Sequence, residues 1–479
     1  MHADLSRVTF RPGKHYSAVL AQQGRVQLDA DANEQTAIAL HRERTAVTDL
    51  VGRHGGPAAA PGFAITYKAG NRVPDDLTIG AGRYYVDGIP LDATRPQPGV
   101  PAESGEGEQG ERAPGADDDT LWRYWTQPDG YRDPERETDR LPDKFPYLVY
   151  LKVWERSVTA VEDPEIREVA LGAAMPDTAA RRKVVWQVLA VPAAELDIPA
   201  RKGTAAEARE AFDKWAGQHG TSGARLAARS ERPSRADEDP CVTHPEARYR
   251  GPENQLYRVE IHQGGAAERA TFKWSRENGS VTLPVASLDG AWATLATLGA
   301  DDKLDLGAGD WVEVSDAAYE SRDERTPLLR VEEVDLPGRR VRLSGEPAPG
   351  TGRVAARRPF LRRWDHRGGT GRGAPRLTDG ALALKGREGT WIDLEDGVQV
   401  YFAAEGSYRP GDHWLIPART ATGTVEWPRD TARRPLLQPP AGIEAHYAPL
   451  AWVRGKAQDG VTDLRHVFGP LAVPVESTT

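Results

Sequence analysis

Asp29-x-Asp31-x-Asn33 sets three oxygen-bearing side chains at alternate positions, the way a calcium loop of the EF-hand kind begins. Such a loop also requires Gly at its sixth position, for the sharp turn, and a bidentate Glu at its twelfth. Glu34 and Leu40 stand there instead, so the turn would be strained and the closing ligand is missing. A helix start accounts for the same residues. Asp31 accepts from the free N–H groups of a helix beginning at Ala32, and Glu34 reaches back to complete a capping box. Ala37, Leu40, Arg44, Val47 and Val51 follow at helical spacing, and Gly52 with the Gly55-Gly56-Pro57 run makes the stop.

Other reactive residues lack the company their chemistry needs. Cys241 and His244 invite a thiolate or zinc reading, but the only further candidate nearby is His262, short of the four ligands zinc takes. Ser222, in QHGTSG, lacks the G-x-S-x-G elbow, and no phosphate loop, dinucleotide fingerprint or H-E-x-x-H occurs. A carboxylate pair stays open, because a glycosidase needs only two acids whose spacing is set in three dimensions. Asp393, Glu395 and Asp396 are the nearest cluster, and at a strand end before Gly397 they read as a solvated turn. The 13 Trp could stack sugars if exposed, or fill a core that has 8 Phe and 2 Met. The expectation is a non-enzyme with no cofactor and no metal; a carbohydrate-binding or carbohydrate-cleaving β protein is the alternative.

Composition bounds the rest. A chain of 479 residues with 48 Gly and 37 Pro favours many turns and short strands. Its formal net charge of -9 offers no overall basic field for nucleic acid or anionic lipid. A single cysteine fits reduced, cytoplasmic synthesis, and neither an apolar leader nor a run long enough to span a membrane is present. Export is then expected by lysis or within a larger particle.

The elements follow from this. LTIGAGRYYVDGIPLD reads as short strands turning at Asp87-Gly88, and YLVYLKVWERSVTAV and KVVWQVLAV as strands with a buried face. ATFKWSRENGSVTLPV reads as a hairpin turning at Asn278 and Gly279, which tolerate φ > 0. DWVEVSD, LLRVEEVDL and RRVRLSG form a meander of a small barrel or sandwich. The fold class is mainly β with an N-terminal helical element, in five segments: an arm and helix (1–55), a β domain (56–195) with a mobile loop at 96–140, a helical and polar insertion (196–240), a central β domain (241–376) and a C-terminal β domain (377–479).

The phrases TFRPGKHYSAVLAQQGRVQLDADANEQ, YLVYLKVWERSVTAVEDPEIREVALG, ARYRGPENQLYRVEIH, TFKWSRENGSV and GDHWLIPARTATGTVEWP together resemble an uncharacterised bacterial family. Its members look associated with phage-tail-like contractile injection systems and β-helix tail or fibre proteins. The resemblance implies a structural subunit of a baseplate, fibre or collar, in a symmetric assembly with other particle subunits. The segments at 96–140 and 196–240 look extra to the shared phrases. The arm and helix are expected to dock on a neighbour through His15, Tyr16, Arg25, Gln27, Asp29, Asp31, Asn33 and Glu34, leaving a body that folds without residues 1–54.

Overall fold

A computed structural model describes residues 1–96, 120–172, 177–198, 203–231, 248–298, 304–368, 376–384 and 390–472. The chain is mainly β, with a long N-terminal helix and several small sheets. It forms two compact units from discontinuous stretches: Met1–Ile38, Glu155–Val184 and Thr221–Glu444 in the first; Ala39–Trp154, Val185–Gly220 and Ala445–Thr479 in the second. The five sequential segments therefore do not map onto the units one by one.

The first unit is built on a six-stranded sheet in the order Leu377–Thr378, Ala381–Ala383, Thr271–Ser275, Gln255–Gln263, His413–Arg419, Thr424–Val425. Alternate residues of a strand face opposite sides. Tyr257, Val259, Ile261, Phe272, Trp274, Trp414 and Ile416 supply one face and pack against Leu226, Ala228, Val398, Val400 and Phe402 of a three-stranded sheet. Arg258, Glu260, Lys273 and His413 alternate with them and are also buried.

Beyond Ser275 the chain enters a closed barrel of strands Thr282–Asp289, Trp292–Leu295, Arg340–Leu343, Leu328–Asp335, Trp311–Ser315 and Phe360–Trp364, in that order around the ring. Leu283, Val285, Val312, Val314, Val331, Val341, Leu343 and Leu361 fill it. The meander lies inside this barrel, as expected. The hairpin does not form: Thr271–Ser275 pairs only within the sheet and Thr282–Asp289 only within the barrel. Asn278 and Gly279 do take φ of 53° and 65°, so the turn geometry holds while its strands part to different sheets.

The second unit holds a sheet ordered Val461–Asp463, Ala445–Val453, Tyr147–Val158, Arg181–Pro192, the two long strands entering it by their residues up to Trp154 and from Val185. Helix Ala205–Gly220 buries Ala208, Phe212 and Ala216 against Leu148, Tyr150 and Trp452. The described residues 203–231 of the 196–240 stretch are thus not peripheral, because this helix closes one core and strand Leu226–Ser230 belongs to another. The hairpin of Arg83–Val86 and Ile89–Asp92 turns at Asp87 and Gly88, as read. Of the expected mobile loop at 96–140, residues 97–119 lie outside the described residues, as do Cys241 and His244; residues 120–140 are held in place, since Trp122–Arg123 pairs with Thr78 and Ile79 and Tyr124, Gln127 and Asp139 are buried.

Candidate docking site

Helix Asp29–Val51 begins three residues before the expected start at Ala32. Asp29 is used locally, its carboxylate accepting from the Ser6 N–H at 2.9 Å and the Ser6 hydroxyl at 2.7 Å. Glu34 makes no capping box; its carboxylate accepts from the Thr9 hydroxyl at 2.6 Å, because the N-terminal segment lies alongside the helix start. Gly52, at φ 89°, ends the helix as expected.

The first three residues are wedged into the body. The His2 N–H donates to Ser157 Oγ and the Ser157 hydroxyl donates back to the His2 carbonyl, both at 2.9 Å. Asn278 Nδ2 donates to the carbonyls of Met1 (3.1 Å) and Ala3 (2.8 Å), and Arg258 Nη1 to that of Met1 (3.3 Å). A Cβ at Gly279 would stand 2.8 Å from the His2 ring. The Asn278-Gly279 turn is therefore a receptor for the segment, which explains a sharp turn where no hairpin exists.

Around His2 lies an ionic network between the charged face of the sheet and the outward side chains of the barrel. Glu260 accepts from Arg258 Nε at 2.6 Å and faces Lys273 Nζ at 3.3 Å. Lys273 also donates to Glu313, whose other oxygen accepts from the Trp364 indole at 2.9 Å. Arg362 donates to Glu320 at 2.8 Å, and Arg325 pairs with Asp323 at 3.0 Å. Burial works against the charge of Glu260, but Arg258, Lys273 and Arg325 outweigh it and hold its pKa well below the carboxylate range. Glu313 and Glu320 are lowered in the same way, burial being overcome chiefly by Lys273 and by Arg362.

Burial, with Arg258 and Arg362 adding to it, holds the His2 imidazole well below its usual value despite Glu260. Neutral His2 then donates from Nε2 to Glu260 at 3.0 Å. Burial likewise depresses His413, and lowers His366 to about 4. Sequence reasoning missed these groups. The period-2 alternation of YRVEIH was the available signal, but it was compatible with a polar face turned to water.

The arm between this wedge and the helix behaves differently. Residues 11–18 and 20–29 are exposed, with Leu20 and Val26 each 83% accessible. The arm is fixed at one point by the Val19 N–H, which donates to Gln35 Oε1 at 2.7 Å, and it turns at Gln22–Arg25 with Gly24 at φ 68°. His15, Tyr16, Arg25, Gln27 and Asn33 all present exposed side chains, whereas Asp31 and Glu34 are half-buried. Between Asp4 and Asp29 it carries Arg7, Arg11, Lys14 and Arg25 and no carboxylate, in a chain of net charge -9.

The remaining candidates are occupied by structure. Glu395 is clamped by Arg276 Nε and Nη2, both at 2.6 Å, and accepts from the Tyr257 hydroxyl at 3.0 Å. Ser222 donates to Asp412 at 2.6 Å. None of the 13 Trp is exposed; Trp154, Trp364, Trp414 and Trp452 are among the largest fully buried side chains and fill cores, while Trp122, Trp125, Trp215, Trp292, Trp311, Trp391 and Trp427 are half-buried. Among the described residues no group of three or more His, Cys, Asp or Glu is placed to hold a metal, and no helix is long and apolar enough to cross a membrane.

The fold and this site define a mainly β protein with a wedged N-terminus and an exposed cationic arm. The chain belongs to a family described as a family of unknown function (DUF6519), whose model matches residues 1–95, 129–214 and 216–462. The unmatched residues 96–128 fall in the first polar segment, while the 196–240 segment lies almost wholly within the match and is not an addition to the family. No curated protein and no solved structure matches the chain.

Proposed function

We propose that this protein is a non-enzymatic structural subunit of a phage-tail-like contractile injection particle, in its baseplate, fibre or collar, and that the arm at residues 11–28 docks it to a neighbour. The observation that carries the docking is the arm itself. An ordered stretch that leaves Leu20 and Val26 in water, with cations and no carboxylates, is poorly explained as part of an isolated body and well explained as one side of an interface. The particle is supported by the resemblance of the arm and strand phrases to proteins associated with such systems.

Synthesis in the cytoplasm and release by lysis, as part of the particle, belong to the same reading. Reversing the arm's charge tests it. The R11E/K14E/R25E triple variant alters only exposed side chains, so the body keeps its melting midpoint while incorporation into sedimenting particles falls at least tenfold. Unchanged incorporation would refute docking through the arm.

A further inference from the structure

We propose that residues 1–10 are an exchangeable segment, which in the assembly occupies the receptor of a second copy of this chain, with residues 11–28 as the hinge. The inference deepens the docking reading by naming the partner and the acceptor, and rests on it only for where exchange takes place.

Three observations carry it. The receptor recognises the segment mainly through its backbone: Asn278 and Arg258 bind carbonyls, Ser157 brackets the two polar groups of His2, and Glu260 reads the imidazole. An identical segment from another copy meets every one of these groups. Residues 4–7 are less completely seated, for a cavity of about 580 Å³ opens between them, the helix start and strand residues Gln255 and Leu256. Their anchors there are polar ones at the surface, Arg419 donating to the Ser6 carbonyl at 2.6 Å and Arg7 meeting Glu426 at 3.2 Å.

The hinge supplies the third. Fully extended, eighteen residues reach on the order of 60 Å, ample to pass from one copy to the next. Tyr16, Leu20 and Val26 stay in water when the segment folds back on its own chain. In an exchanged pair two hinges run together, and those side chains gain a partner. Exchange then conserves the contacts of residues 1–10, gives up the Val19–Gln35 hydrogen bond and the Gln22–Arg25 turn of the hinge, and adds the hinge interface, the usual route by which identical elements swap at low cost.

The test places a cross-link where Ser6 meets Asp29. On a Cys241→Ser background, Ser6→Cys with Asp29→Cys is oxidised by diamide in concentrated full-length protein and in sedimented particles. Disulfide-linked dimers or higher ladders on non-reducing denaturing gels are expected; cross-linking confined to monomers would overturn exchange. Should that variant not fold, full-length Ser6→Cys and full-length Asp29→Cys chains, each on the Cys241→Ser background, are mixed and oxidised. Mixed disulfide-linked dimers should form at least tenfold above either chain's self-linked dimers, and monomers alone would overturn exchange. Monomeric cross-links in particle-bound protein would sink exchange and leave the structural role standing. Exchange in purified protein that never enters a particle would do the reverse.

Discussion

The amide of Asn278 shows how much a single side chain carries here. It bridges the Met1 and Ala3 carbonyls and accepts from Arg258, in a backbone conformation that asparagine tolerates and alanine does not. Asn278→Ala should therefore lower stability by roughly 2–3 kcal/mol, from lost buried hydrogen bonds and the φ penalty. Amide exchange at His2 and Ala3 should accelerate with it, and a variant with both unchanged would mean that the wedge contributes nothing. Lys273 lies between Glu260 and Glu313 with no exposure. Lys273→Met leaves two carboxylates without their shared cation and should cost about 3–5 kcal/mol, read as a shift in the urea midpoint. At this scale the sequence was partly legible. Asn278-Gly279 announced a turn through its backbone tolerance, but its partners Met1 and Ala3 are some 275 residues away in the chain, and no local pattern encodes that.

The strands were legible as elements and not as a site. DWVEVSD, read as part of a strand meander, is a barrel strand, and NQLYRVEIH carries a period-2 alternation that the sheet makes two-faced. Alternation does not say what covers the polar face, and here each polar face covers the other. That arrangement has a pH signature. His2, His366 and His413 are desolvated and held below their ordinary values, His366 at about 4. Unfolded histidine titrates near 6.5, and each tenfold loss of proton affinity on folding is worth roughly 1.4 kcal/mol. Below that pH the unfolded chain binds more protons than the fold. Stability is thus complete above about pH 6.5 and declines as pH falls toward 4, by about 2 kcal/mol per histidine at pH 5. Urea melts at pH 7 and pH 5 should show the decline, and His2→Gln should lessen it by one histidine's share; equal midpoints would contradict burial of neutral imidazoles. In the second unit, a Cβ at Gly88 would sit 2.4 Å from the Arg44 carbonyl oxygen with φ already at 79°. Gly88→Ala should lower the melting midpoint by several degrees, whereas Gly455→Ala, with open space around it, should not.

For the whole molecule, the wedge changes what the N-terminal region is. Removal of residues 1–54 cannot leave the body intact, because Met1–Ala3 fill a receptor and Ala30 and Ile38 are buried. Sequence had separated the arm and helix from the body because the contacts that bind the arm's start are made by strands far along the chain. In the proposed docking, only the exposed arm, residues 11–28, is left to meet a neighbour. The most direct measurement is to sediment native particles from a lysate of the producing cell and to count this protein by mass spectrometry against the tube and sheath subunits. A fixed ratio that survives washing in high salt is the predicted result, since Leu20 and Val26 would be buried along with the arm's charges. Its absence from the pellet, with the protein remaining in the supernatant, would contradict the structural role.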